Sequence, residues 1–202
     1  MKKHAFLLTW LGLCLAAPAA QQNFDFKDPK GVNNVIFKTD APLESINGTA
    51  TGVSGSVAFD PADPGSIKGK IVVDAASLHV PNPMMKEHLQ GAMWLDVAKF
   101  PTITFEAISA AKVKTVANVT TAEVAGTMTI KGVAKKVTVP VKLTYLADKL
   151  KDRVPNLKGD LLVLRGTFTV KRSDFGINQG KGEDKVADEI ELTLSLAGQS
   201  PR

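Results

Sequence analysis

The chain has 202 residues, of which 44% are hydrophobic, 22% charged and 6% aromatic, with 25 basic side chains against 20 acidic. It is long enough for one domain with a full core and too aliphatic for a disordered chain. A single cysteine excludes a disulfide scaffold and a cysteine-ligated zinc site, and three histidines with one tyrosine leave little material for acid–base or metal chemistry, so the composition points to binding rather than catalysis.

The chain opens on Met1-Lys2-Lys3, followed by an apolar run from Ala5 to Ala17 that only Thr9 and Gly12 interrupt. That run is too short for the roughly 30 Å hydrocarbon core of a bilayer. Ala17-Pro18-Ala19 places small residues where a signal peptidase reads, and residues 1–19 are expected to be a cleaved secretory leader. Leu13 beside Cys14 is too bulky for a lipidation site. Cleavage removes two of the 25 basic residues and the only cysteine, leaving 23 basic against 20 acidic residues. This small excess is spread along the chain with no basic, aromatic-interleaved run, so nucleic acid is not an expected partner.

Beyond the leader the pattern is period-two alternation between turn signals. The first strand is expected at Asn34 to Asp40. Val53, Gly55, Val57 and Phe59 alternate up to Asp60-Pro61-Ala62-Asp63-Pro64-Gly65, after which Ile67, Gly69, Ile71 and Val73 alternate with lysines, giving a hairpin. Asn82-Pro83 reads as the cap and first turn of a short helix that runs to Gln90 and stops at Gly91, with a further turn over residues 92–97. This segment is expected to be a lid or plug.

Ile103, Phe105 and Ala107 resume the alternation. Val124, Gly126, Met128 and Ile130 then share a face, Lys131-Gly132 turns the chain, and Val137, Val139, Val141, Leu143 and Tyr145 share the next. Pro140 has no N–H to give a ladder, so a bulge or free edge is expected beside it. Leu162, Leu164, Gly166, Phe168 and Val170 form another apolar face, and Ile190, Leu192, Leu194 and Leu196 the last. These make about eight strands, each apolar on one side. In series with short connections they predict an all-β fold, one eight-stranded antiparallel barrel with a short helical lid over residues 24–200; a two-sheet sandwich is the alternative.

The segment from His88-Leu89 through Trp94-Leu95-Asp96-Val97 to Phe100-Pro101-Thr102-Ile103-Thr104-Phe105 closely resembles a signature of the YceI-like family. Gly126-Thr127-Met128-Thr129-Ile130-Lys131-Gly132, the following Val137-Thr138-Val139-Pro140-Val141, and Arg172-Ser173-Asp174-Phe175-Gly176-Ile177 resemble two further motifs in the same order. The resemblance covers residues 30 to 198. Trp94-Leu95 stands where the family often has paired phenylalanines, and residues 46–50 are poorer in aromatics.

The resemblance implies a lipocalin-like barrel, exported to the periplasm or beyond, that holds a long isoprenoid or another lipid such as an isoprenoid quinone in an apolar tunnel. A homodimer, since relatives associate, and a transient membrane contact are further candidate partners. The candidate ligand-binding residues are Phe59, Ile71, Val73, Met93, Trp94, Phe105, Met128, Ile130, Val141, Leu143, Tyr145, Leu164, Phe168 and Leu192. The same side chains serve equally as ordinary core, and a filled barrel acting through a protein partner is the competing reading.

Met84, Met85, Met93 and Trp94 cluster in the lid, where flexible methionines suit an adaptable gate. Arg172, Ser173 and Asp174 suit either a polar headgroup or an Asp/Ser turn held by arginine. His79 and His88 lack a third ligand nearby in sequence, so no metal or cofactor is expected. Gly52-Val53-Ser54-Gly55 has the wrong spacing for a nucleophile elbow, and no phosphate-binding glycine pattern opens a helix. No catalytic residue is assigned.

Overall fold

The computed structural model describes residues 21–28 and 30–202, so the expected leader at 1–19 lies outside the described residues. Among the described residues there are eleven strands: β1 (Gln22–Asp25), β2 (Asn34–Asp40), β3 (Ser45–Ala50), β4 (Val53–Phe59), β5 (Lys68–Asp74), β6 (Leu78–His79), β7 (Thr102–Val116), β8 (Val119–Ile130), β9 (Val133–Leu146), β10 (Gly159–Lys171) and β11 (Glu189–Pro201). Helix α1 (Pro83–Gln90) precedes β7, and the single turn α2 (Leu150–Arg153) separates β9 from β10.

Pairing reduces the eleven segments to eight walls. β1 pairs with β4 while β2 pairs with β3, and both β1 and β2 pair with β11. β1 and β2 are thus one broken strand. β3 with β4 is a second, and β5 with β6 a third, since β5 pairs with β4 and β6 with β3. Every neighbouring pair is antiparallel and consecutive in the chain, and pairing of the first wall with the last closes an eight-stranded barrel. Closure satisfies both edges and allows one apolar face per strand to turn inward.

Two local features follow from residue type. Gly69 has φ +152°, and a Cβ there would sit 2.3 Å from the Ser56 carbonyl oxygen. Only glycine permits this sharp coil between β4 and β5. The β9–β10 ladder runs from Leu161↔Leu146 only to Arg165↔Lys142, whereas β10 and β11 pair over the whole length of β10. It stops two residues short of Pro140, as the missing N–H predicts. A Cβ at Gly166 would lie 2.6 Å from the Pro140 carbonyl oxygen, so the strands still touch there.

The core divides into two clusters. Phe24, Phe26, Phe59, Leu143, Leu162 and Leu196 belong to one, and Phe24 meets Tyr145 edge-on at 6.3 Å between ring centroids. This plug fills one end of the barrel. The Tyr145 hydroxyl donates to Asp160 at 2.8 Å, and Asp160 also accepts from the Asp148 N–H at 2.9 Å and from Arg202. Burial alone would raise the pKa of Asp160, but these donors outweigh it and hold the carboxyl below its usual range. Asp28 behaves likewise: burial is overcome by the N–H groups of Asn33, Lys30 and Val32 and by Arg153 at 2.9 Å.

A carboxyl whose folded pKa is depressed stabilises the fold above its unfolded pKa, and that contribution fades as pH falls through about 4 toward the folded value. Urea unfolding should therefore show stability declining below about pH 4. Asp160→Asn should lose about 2 kcal/mol at neutral pH, because it weakens the partners of a buried charge, and its acid limb should be flatter than the wild type's.

Candidate apolar cavity and its mouth

Above the plug the barrel is hollow. A cavity of about 410 Å³ is walled by side chains from β2 to β11, among them Val35, Phe37, Ile71, Val73, Ile103, Phe105, Val124, Met128, Val139, Phe168, Leu192 and Leu194. The inward parity of each strand produces this wall: Ile71 and Val73, or Met128 and Ile130, lie two apart on one face. The second core cluster, which includes Leu78, Leu95, Met128, Ile130, Val170, Phe175 and Ile177, surrounds the open end.

Ten of the fourteen residues expected to line a ligand site border this cavity: Ile71, Val73, Trp94, Phe105, Met128, Ile130, Val141, Leu164, Phe168 and Leu192. Four lie elsewhere. Leu143 and Phe59 are each 1% exposed in the plug, and Tyr145 stacks there because its hydroxyl is tied to Asp160. Met93 is 68% exposed and faces solvent beside Trp94.

The candidate lining left out Val35, Phe37, Ile103 and Leu194, which also border the cavity, although the alternation places Ile103 and Leu194 on apolar faces. It also missed the polar residues that reach the cavity, Thr39, Glu44, His88 and Lys185. Thr39 comes from the end of β2, Glu44 from the β2–β3 connection, His88 from α1 and Lys185 from the segment before β11, which no strand pattern brings together.

One side of the mouth is built by α1 and the turn that follows it. Asn82 Oδ1 accepts from the Met84 and Met85 N–H groups at 2.9 and 3.2 Å, Pro83 occupies the first turn, and Gly91 ends the helix. Met85, His88 and Leu89 have the i, i+3, i+4 spacing of one helical face, and all three border the cavity. The Leu95 N–H returns to the Leu89 carbonyl at 3.1 Å, which folds Trp94 and Leu95 back over the opening.

The other side is organised by Arg172, which is 3% exposed. Its guanidinium donates to the carbonyls of Ala187, Ile177, Asn178, Lys181 and Val186, and lies 5.7 Å from the centre of the Trp94 ring. With its donors engaged by the chain, Arg172 holds the 177–187 loop rather than a headgroup. Ser173 completes the turn with Asp188, donating its N–H at 2.9 Å and its hydroxyl at 2.7 Å. The acid in this turn is Asp188, not Asp174. Burial would raise the pKa of Asp188, but Ser173 and then Arg172 hold it below the usual range.

His79 lies in β6 opposite Thr49, outside the cavity lining, so it does not join His88 there. Among the described residues no group of three or more His, Cys, Asp or Glu side chains is placed to hold a metal ion. No helix of the described residues is long and apolar enough to cross a membrane.

These features define a lipocalin-like barrel, plugged at one end, with an apolar chamber opening at the other. The chain belongs to the YceI-like family, whose domain matches residues 29–197. It is 33% identical over 144 residues to a UPF0312 protein of Pseudomonas aeruginosa, spanning 71% of this chain and 69% of that one. A UPF0312 protein of Yersinia pestis is 30% identical over 153 residues, 76% and 73% of the two chains.

Among solved structures, BcnA of Burkholderia cenocepacia superposes with a TM-score of 0.67 at 26% identity, over 82% of this chain and 95% of that one. A polyisoprenoid binding domain from Saccharophagus degradans gives 0.63 at 10% identity, over 90% and 100% of the chains, and shows the shared fold.

Two outcomes follow from this geometry. Arg172→Ala removes five carbonyl partners from one loop and should destabilise the protein by about 3 kcal/mol in denaturant unfolding, with amide exchange rising first across residues 177–188. Leu192→Trp should fill the chamber and weaken binding of an apolar fluorescent dye at least tenfold, whereas Met93→Ser should leave dye affinity unchanged.

Proposed function

We propose that the protein carries or sequesters one long apolar lipid, an isoprenoid or isoprenoid quinone, in the barrel chamber, and that it does so by binding alone. The observation that carries this reading is the hollow interior. About 410 Å³ of apolar space falls within the usual range for small-molecule sites, roughly 300–1,000 Å³. A barrel filled by its own side chains, the competing structural role, would have no such space.

The chemistry of retention is burial. Each methylene taken from water contributes about 0.8 kcal/mol, so twenty carbons contribute on the order of 16 kcal/mol before association and ordering are subtracted. No charged anchor is required, which fits a chamber lined mainly by aliphatic and aromatic side chains. An unbranched or isoprenoid tail would run down the chamber toward Val57, Val141 and Leu196, stopped by the aromatic plug. The headgroup would stay at the mouth among Glu44, His88 and Lys185.

The place of action in this reading is the cell envelope. The lysine-started apolar segment and Ala17-Pro18-Ala19 support export with cleavage after Ala19. A lipid cargo then requires transient contact with the membranes that supply and receive it.

The test is gentle purification from the native host followed by native mass spectrometry and organic extraction. The expected result is a chain beginning at Ala20 with one stoichiometric apolar lipid, depleted in Leu192→Trp. A clean lipid-free mass, with no displacement of an apolar dye, would overturn the reading in favour of a partner-binding barrel.

A further inference from the structure

Three exposed apolar side chains stand directly beside the mouth, each from a different segment. Leu43, Met84 and Met93 are 68%, 65% and 68% exposed. Each is the immediate chain neighbour of a residue that borders the cavity: Glu44, Met85 and Trp94. The Leu43 N–H donates to the Asp184 carbonyl at 2.9 Å, so its loop is braced against the loop that Arg172 holds. Met84 is fixed by the Asn82 cap. Lys131 Nζ donates to the carbonyl of Ala92 at 2.8 Å and secures the turn that carries Met93. Three anchored segments thus present one apolar side chain each to solvent around a single opening.

We propose that this rim docks on a lipid bilayer, with Leu43, Met84 and Met93 entering the interface so that a lipid passes between membrane and chamber without crossing water. The inference rests on the lipid-carrying reading of the chamber and adds the surface through which it is loaded. Two observations select the occupant. Three partly exposed side chains offer on the order of a few hundred Å², well under the roughly 800 Å² per partner of a stable protein interface, so a second copy of the chain would not be held there. The charges near the rim alternate in sign, Lys86 beside Glu87 and Lys185 beside Asp184. That neutral balance suits a zwitterionic membrane surface, where apolar insertion rather than attraction to anionic lipid supplies the contact. Other exposed apolar residues such as Val32 and Val116 lie near the plugged end, where they cannot serve the opening.

Trp94 is the only tryptophan beyond residue 20 and a built-in reporter beside Met93. Processed protein is mixed with phosphatidylcholine vesicles whose acyl chains carry bromine, a short-range quencher. Trp94 emission should fall by about half relative to unbrominated vesicles, and the Leu43→Ser, Met84→Ser, Met93→Ser triple variant should lose most of that quenching. The variant should take an NBD-tagged geranylgeraniol from detergent micelles within twofold of wild type, yet take it from phosphatidylcholine vesicles about tenfold more slowly. Absent quenching in the wild type, or equal quenching and equal vesicle uptake in both proteins, overturns the docking surface. Failure of both proteins to take the probe from micelles overturns the isoprenoid reading instead, and quenching still reports docking by itself.

Discussion

The side-chain amide of Asn33 stands in for a peptide group where the first wall of the barrel breaks. Its Nδ2 donates to the carbonyls of Phe26 and Ala197 at 2.9 and 3.0 Å, and its Oδ1 accepts from the Ala197 N–H at 2.8 Å. β1 and β2 can therefore share one neighbour, β11, although the chain between them leaves the ladder. Asp28 gathers the freed N–H groups of Lys30, Val32 and Asn33, and Arg153 compensates its charge. Buried backbone groups need such partners, and without them the Phe26 and Ala197 backbone groups would be left unpaired at the seam between the first and last walls. Closure of the barrel depends on this small polar knot.

The break has a second effect. It brings Phe24 and Phe26 into the bottom of the barrel, each with no exposed surface, where they join Phe59 and Tyr145. At the base the rings meet one another across the barrel, whereas in the chamber Phe37, Phe105 and Phe168 stand in the wall among aliphatic side chains and leave the middle open. A barrel of eight strands is just wide enough either to fill itself or to hold one slender guest. The mutual contact of Phe24, Phe59 and Tyr145 fills the base, beneath a chamber that stays hollow.

At the open end charge-assisted hydrogen bonding adds to the packing of the second core cluster. Arg172 replaces several missing backbone partners for a loop rich in glycine, and Asp188 pins the turn from which Arg172 projects. Trp94 lies over the guanidinium from the opposite side, so the two flanks of the opening, one helical and one irregular, touch through a cation–π contact. A rim held in this way combines defined shape with solvent-exposed apolar tips, the combination that the proposed docking on a bilayer would use.

Strand alternation, the proline and glycine punctuation and the Asn82-Pro83 cap were legible directly, because each is a local consequence of residue type. They yielded the later walls, the break in pairing beside Pro140, the short helix and most of the cavity wall. β1 and β3 were not legible: Gln22–Asp25 is four residues long, and Ser45–Ala50 contains Asn47, Gly48 and Thr49 with little apolar signal. Inward parity marks a side chain as facing the barrel axis but not its height along that axis. Leu143 and Tyr145 therefore look the same in sequence as Val141, although the plug claims the first two and the cavity the third. Tyr145 is drawn down by Asp160, fifteen residues away, and Met93 turns outward because Leu95 returns to Leu89. The sequence alone determined a one-sided, closed β-structure with an apolar interior. Only tertiary structure decided which part of that interior is solid and which is hollow, because that division depends on hydrogen bonds and ring contacts between residues far apart in the chain.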